Sequence, residues 1–121
     1  MGQKVLVADD SGTMRRIIIR SFNALGINEV TEAEDGEVAL AKFSAAPFDI
    51  VITDWNMPRK TGLEVIQGIR GQGSSVPIIM VTTESEKRNV LAAITAGVSD
   101  YLVKPFDTEQ LREKLLKFVA I

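Results

Sequence analysis

Four short runs of apolar residues stand out along the chain: Val5-Leu6-Val7-Ala8, Ile50-Val51-Ile52-Thr53, Ile78-Ile79-Met80-Val81 and Tyr101-Leu102-Val103, with a weaker fifth at Val30-Thr31-Glu32-Ala33. The strong runs do not alternate apolar with polar, so each predicts a strand buried on both faces, as in a parallel sheet covered by helices. Segments of helical period lie between them. Met14, Ile18, Phe22 and Leu25 mark the first, Leu40 and Phe43 the second, Leu63, Ile66 and Ile69 the third, Leu91 and Ile94 the fourth, and Leu111, Leu115 and Phe118 the fifth. Helix starts are legible in Thr61-Gly62-Leu63-Glu64 and Thr83-Glu84-Ser85-Glu86, which fit the reciprocal capping box, and in Asp35 and Asp107, placed as side-chain N-caps. Gly26 and Gly97 fall where helices would stop. Five strand–helix units joined by right-handed crossovers predict an open, doubly wound α/β sheet.

With 121 residues the chain has room for one core, and no Pro-, Ser- or charge-rich linker divides it. A single domain over 1–121, with no output domain, is the expectation. There is neither Cys nor His. Disulfide scaffolds, thiolate zinc sites, thiol nucleophiles and imidazole-based triads are thereby excluded, and any chemistry must use carboxylate, hydroxyl, amine or a borrowed metal. Lys and Arg number 14 against 16 Asp and Glu, for a formal charge of -2. The basic residues are scattered, so the electrostatic footprint of a nucleic-acid binder is missing. No run approaches the ~20 apolar residues of a membrane span, and a cytoplasmic location is expected.

In open α/β sheets ligands bind outside the carboxyl ends of the strands, and there this sequence is distinctive. The first run ends in Asp9-Asp10, the third strand in Asp54, the fourth in Thr82 and the fifth in Lys104-Pro105. Taken singly, each residue has an ordinary explanation. The Asp pair could cap the following helix, Thr82 could be a β-branched strand residue, and Lys104 a surface amine. Their joint placement at four strand ends points to a site. Two unit charges about 4 Å apart repel by about 4 kcal/mol at an effective dielectric near 20. Three ionised Asp beside one Lys leave two negative charges, which suits one divalent ion. Oxygen-only ligands favour Mg²⁺, with Mn²⁺ as the alternative. A carboxylate, an amine, a hydroxyl and such an ion are equipment for phosphoryl transfer, with Asp54 as the nucleophile.

The motifs Val7-Ala8-Asp9-Asp10-Ser11, Asp54-Trp55-Asn56-Met57-Pro58, Val81-Thr82-Thr83-Glu84 and Lys104-Pro105-Phe106, in this order, make the whole chain resemble the receiver domain of two-component response regulators, the single-domain chemotaxis regulators in particular. The resemblance implies a flavodoxin-like (βα)5 fold with strand order 2-1-3-4-5. It implies that Asp54 accepts phosphate from a phosphohistidine on a sensor histidine kinase or from a small donor. Asp10 would hold Mg²⁺ directly, Asp9 through water, and the Asn56 backbone carbonyl would add an oxygen. Lys104 would meet the phosphoryl oxygens, with a cis bond to Pro105, and Thr82 and Tyr101 would form the switch. Asn56 and Glu84 would set the dephosphorylation rate, on which a phosphatase could also act. Lys87, Val90, Tyr101 and Lys114 would face a helical target peptide or a flagellar motor switch protein, with the chain itself a monomer. One departure is Thr61-Gly62, where the family often has Asp-Gly. The competing readings are a phosphate sink or relay intermediate, a haloacid-dehalogenase-type phosphatase, and a flavodoxin-like cofactor carrier. The phosphatase would want a second Asp where Asn56 stands, and the carrier a Ser/Thr/Gly-rich loop after the first strand.

Overall fold

The structure, a computed structural model, describes residues 3–83 and 89–120. Strands and helices alternate as β1 (Lys4–Ala8), α1 (Gly12–Ala24), β2 (Glu29–Ala33), α2 (Gly36–Ala45), β3 (Ile50–Asp54), α3 (Gly62–Gly71), β4 (Ile78–Thr83), α4 (Val90–Ala96), β5 (Asp100–Lys104) and α5 (Thr108–Leu115). All neighbouring strands are parallel, in the order β2-β1-β3-β4-β5. The reversal between β1 and β3 opens a crevice at their carboxyl ends.

The lack of alternation in the apolar runs has its cause in two separate cores. Val5, Val7, Ile50, Ile52, Ile79 and Val81 pack with Ile18 and Phe22 of α1 and Leu111 and Leu115 of α5. Leu6, Ala8, Val51, Ile78 and Met80 pack on the other face with Ala39 of α2, Val65, Ile66 and Ile69 of α3 and Ala93 of α4. β3 is buried at every position, whereas the edge strand β2 buries only Ala33, which is why its run is the weakest.

The caps follow the sequence. Thr61 and Glu64 form a reciprocal box at α3, Asp107 and Gln110 do the same at α5, and Asp35 accepts from Val38 N at 2.8 Å. Gly26 and Gly97 take left-handed conformations, φ 84° and 107°. The box beginning at Thr83 runs into Glu84–Glu86, outside the described residues. Two helices differ from expectation. In α4, Leu91 is 74% and Ile94 57% exposed, while Val90, Ala93 and Ala96 turn to the core. In a seven-residue helix two stripes offset by one residue share the same spacing, and close packing selects the one with small side chains. Helix α5 ends at Leu115, so Phe118 reaches its half-buried place against the core from the following turn, where its N–H meets Leu115 O at 2.9 Å.

Two glycines answer to close approach rather than to a turn. A Cβ on Gly62 would collide with the Asp54 carbonyl oxygen, and one on Gly36 with the Lys60 carbonyl oxygen. Both obstacles are backbone and cannot rotate away. Gly62→Ala is therefore expected to lower stability by about 1–3 kcal/mol, the usual cost of forcing atoms into a packed site, read as a fall in the urea midpoint. An unchanged midpoint would mean that the β3–α3 loop yields freely. Arg70 fastens the opposite end of the sheet, donating to the carbonyls of Gly97 at 2.9 Å, Ser74 at 3.1 Å and Val76 at 2.7 Å.

Candidate functional site

Register brings the chemistry to one edge. Ala8 pairs with Thr53 and Asp54 with Val81, so Asp9 and Asp54 leave adjacent strands at the same level. Asp9 is 1% exposed, Asp54 7%, and Asp10, one residue into the loop, faces solvent. The alternative role of the Asp pair as helix caps falls away. Ser11 caps α1 by accepting from Met14 N at 3.1 Å, and Asp9 Oδ1 accepts from Ser11 N at 2.9 Å. Asp9 Oδ2 stays turned to the site.

One carboxylate oxygen from each of Asp9, Asp10 and Asp54 lies within 4.8 Å of the others. An octahedral Mg²⁺ with oxygens at about 2.1 Å spans about 3 Å between adjacent ligands and about 4.2 Å between opposed ones. The donor set is all oxygen and is gathered closely enough that small side-chain adjustments bring it to one ion, so these residues fit that ion. Lys104, at the end of β5, places Nζ 3.3 Å from both Asp9 Oδ2 and Asp54 Oδ1, with its side chain 16% exposed. The Lys104–Pro105 peptide is cis.

Burial pushes the Asp54 carboxyl up to about 6, and the Asp9 charge adds to the rise; Lys104 and the Trp55 N–H, 2.8 Å from Oδ1, oppose it. For Lys104 burial alone would favour the neutral amine, but Asp54 and Asp9 outweigh it and the pKa rises. One ammonium thus serves two buried carboxylates.

Of the other expected site residues, Thr82 is fully buried near the end of β4, but its hydroxyl donates to the Thr83 carbonyl at a long 3.4 Å and lies outside the ion-paired group. Asn56 is exposed in the loop two residues past Asp54. Tyr101 is half-buried on β5 with Lys114 Nζ 5.4 Å from its ring centre. Val90 is half-buried against the core. Glu84 and Lys87 lie outside the described residues.

Several contacts, some at the site and some remote from it, escaped sequence reasoning. Asp100 accepts from Lys114 at 3.1 Å, Lys117 at 2.9 Å and Tyr101 N at 2.7 Å, and these bonds outweigh burial and lower its pKa. Arg59, with a left-handed φ of 66°, pairs with Asp35 at 2.6 Å and ties the β3–α3 loop to the start of α2. Arg15 pairs with Glu32 at 2.8 Å and donates to the Asp9 carbonyl at 2.6 Å. The ion pairs join residues 14 to 24 positions apart, and only a rule pairing every charge with every other could have singled them out.

Among the described residues no helix is long and apolar enough to cross a membrane. The family model of the response regulator receiver domain matches residues 5–116. The chemotaxis protein CheY1 of Helicobacter pylori is 48% identical over 115 residues, covering 93% of each chain. Among solved structures, the chemotaxis response regulator CheY4 of Vibrio cholerae superposes with a TM-score of 0.89 at 37% identity, over 98% of this chain and 100% of that one. The receiver domain of a sensor histidine kinase from Pseudomonas aeruginosa, solved with a magnesium ion coordinated in its active site cleft, does so at 0.88 and 28% identity, over 98% of each chain.

Proposed function

The chain belongs to the response regulator receiver domain family, and from that premise we propose that Asp54 accepts a phosphoryl group in a Mg²⁺-dependent reaction and that the modified domain changes its affinity for a partner. Receiver domains are signalling domains, and the chemistry proposed here is on the chain's own side chain. The observation that carries the reading is the convergence of three carboxylates within 4.8 Å, with an ammonium 3.3 Å from Asp54, at the carboxyl edge of the sheet.

Above pH 6 Asp54 is largely ionised and nucleophilic. One of its oxygens attacks the phosphorus of a phosphohistidine on a sensor kinase, or of a small phosphodonor. A P–O bond forms and the P–N or donor P–O bond breaks; a histidine leaving group takes up a proton at the nitrogen released, whereas a carboxylate leaving group departs as the anion. Asp10, Asp9, Asp54 and the Asn56 backbone carbonyl would hold Mg²⁺ or Mn²⁺, which when bound supplies positive charge to the phosphoryl oxygens. Lys104 contributes a second positive charge from the end of β5. Water later cleaves the acyl phosphate and restores Asp54, at a rate on which Asn56 and Glu84 bear and which a phosphatase could raise.

The Thr82 hydroxyl has a weak present partner, so turning it to a new anion costs little. Its movement would draw the end of β4 inward and let Tyr101 bury further, a two-state element biased by one added charge. Tyr101, Val90, Lys114 and Lys87 mark the face expected to take a helical segment. The chemotaxis proteins among the relatives support a flagellar motor switch protein as that target, while service as a phosphate sink or relay intermediate needs the same chemistry without it.

Intact mass decides the central step. With Mg²⁺ and excess acetyl phosphate the protein should gain one phosphate and Trp55 fluorescence should change, whereas chelating the metal should prevent both. An unchanged mass at saturating donor and Mg²⁺ would remove the reading.

A further inference from the structure

Consecutive residues leaving a strand ordinarily point to opposite sides, yet Asp9 and Asp10 bring carboxylate oxygens into one cluster with Asp54. Something must set the peptide between them. Asp9 is held through both carboxylate oxygens, by Ser11 N and Lys104, and its N–H donates to Ala33 O at 3.0 Å. Asp10 is exposed, so its aim depends on the backbone that carries it.

That backbone is gripped by Arg15. The guanidinium, on the first turns of α1, donates through Nη1 to the carbonyl of Asp9 at 2.6 Å and through Nε to Glu32 Oε1 on β2 at 2.8 Å. The Asp9 carbonyl belongs to the peptide that leads into Asp10. Its orientation therefore fixes the plane from which Asp10 departs. Glu32 anchors the other edge of the same planar group, and with Arg15's side chain only 18% exposed the guanidinium has little freedom to turn. A planar fork bonded to a backbone carbonyl on one side and a carboxylate of the neighbouring strand on the other is a directional clamp that a point-charge ammonium cannot reproduce.

We propose that Arg15 is a positioning residue for the acidic site, holding the Asp9–Asp10 peptide so that both carboxylates converge on a divalent cation. This rests on the reading of that site given above. Arg15 acts through the backbone and need touch neither cation nor phosphate.

Charge and positioning predict opposite signs, which makes the assignment testable. Removing a positive charge near three carboxylates should tighten cation binding on Coulombic grounds, whereas loss of the clamp should weaken it. Groups that orient ligands from behind typically alter metal affinity 10–100-fold. Titrating the metal-free protein with Mg²⁺ alone, followed by Trp55 fluorescence well below the unfolding midpoint, should show Arg15→Ala binding about 10-fold more weakly than wild type. Arg15→Lys keeps the charge and loses the two-point grip, and should also be weaker; it serves alone should the alanine variant not fold. Arg112→Ala, which removes a surface pair on α5, should bind like wild type. At saturating Mg²⁺ the yield of acyl phosphate in both Arg15 variants should return to the wild-type level. A lower urea midpoint with unchanged or tighter Mg²⁺ binding in both variants would reduce Arg15 to a structural role and overturn the assignment while leaving the site intact. Failure of wild type itself to bind Mg²⁺ would overturn both.

Discussion

Asp54→Asn is expected to abolish phosphoryl uptake and, at pH 8, to make the metal-free protein more stable by about 1–2 kcal/mol. The loss of uptake follows from replacing a nucleophilic carboxylate with an amide. The gain in stability follows from burial. Raising the carboxyl from 3.8 to about 6 in the folded state would be worth about 3 kcal/mol if the group were wholly screened from water, and partial solvent access reduces that figure. A folded carboxyl with a raised pKa binds its proton more tightly than the unfolded chain does. Its ionisation therefore disfavours folding: the penalty is absent below about pH 4, grows between there and about 6, and is complete above. Urea midpoints of wild type and variant should thus converge at low pH and separate at pH 8, and since other carboxylates titrate in both proteins the difference isolates Asp54. A variant less stable than wild type at pH 8 would mean that the bonds from Trp55 N–H and Lys104 outweigh the cost of burial, contrary to the electrostatics described here.

The legibility of this site has a physical basis. Strands buried on both faces leave unbroken apolar runs, so Asp9 and Asp54, which close β1 and β3, could be placed at one sheet edge before any coordinates; the run ending at Lys104 gave the right strand end although β5 is an edge strand that buries only Leu102. Thr82 could be placed there too, but the direction of its hydroxyl depends on local rotamer choices that no spacing encodes. The caps at Thr61, Asp35 and Asp107 were readable because their partners lie three residues away. The inward stripe of α4 was not, since seven residues allow two stripes and the larger side chains occupy the wrong one. Gly36 and Gly62 escaped because each meets a backbone carbonyl supplied by another segment. Arg15 and Asp100 escaped because their partners sit on other elements, and a chain with charges scattered throughout offers many equivalent pairings.

Asp100 also qualifies the partner face. Lys114 is drawn between the Asp100 carboxylate and the Tyr101 ring, so its ammonium is engaged within the domain. A partner competing for Lys114 must offer a carboxylate at least as well placed, or act when Tyr101 has moved and weakened the cation–π contact. The ring and the amine are thereby coupled, and a change at one alters the availability of the other.

Lys104→Ala separates the two cations of the site. Lys104 has a raised pKa in the folded state, so its contribution to stability is fully present below the ordinary lysine pKa and is lost only as pH rises through the higher folded value. At neutral pH the substitution leaves Asp9 and Asp54 facing each other without their ammonium. Breaking a fully buried pair costs about 3–5 kcal/mol; with solvent reaching part of this site, the metal-free variant should lose about 2 kcal/mol. Mg²⁺ should bind it at least as tightly as wild type, because a competing positive charge has gone, and should restore much of the lost stability through preferential binding to the folded state. Phosphoryl uptake at saturating Mg²⁺ should nonetheless fall about 100-fold, the typical effect of removing one donor aimed at charge that develops in the transition state. Opposite responses of metal affinity and transfer rate are the signature of an amine that serves the phosphoryl group and not the ion. A parallel loss of both would place Lys104 among the groups that shape the metal site and would leave the transferred oxygens without their proposed partner.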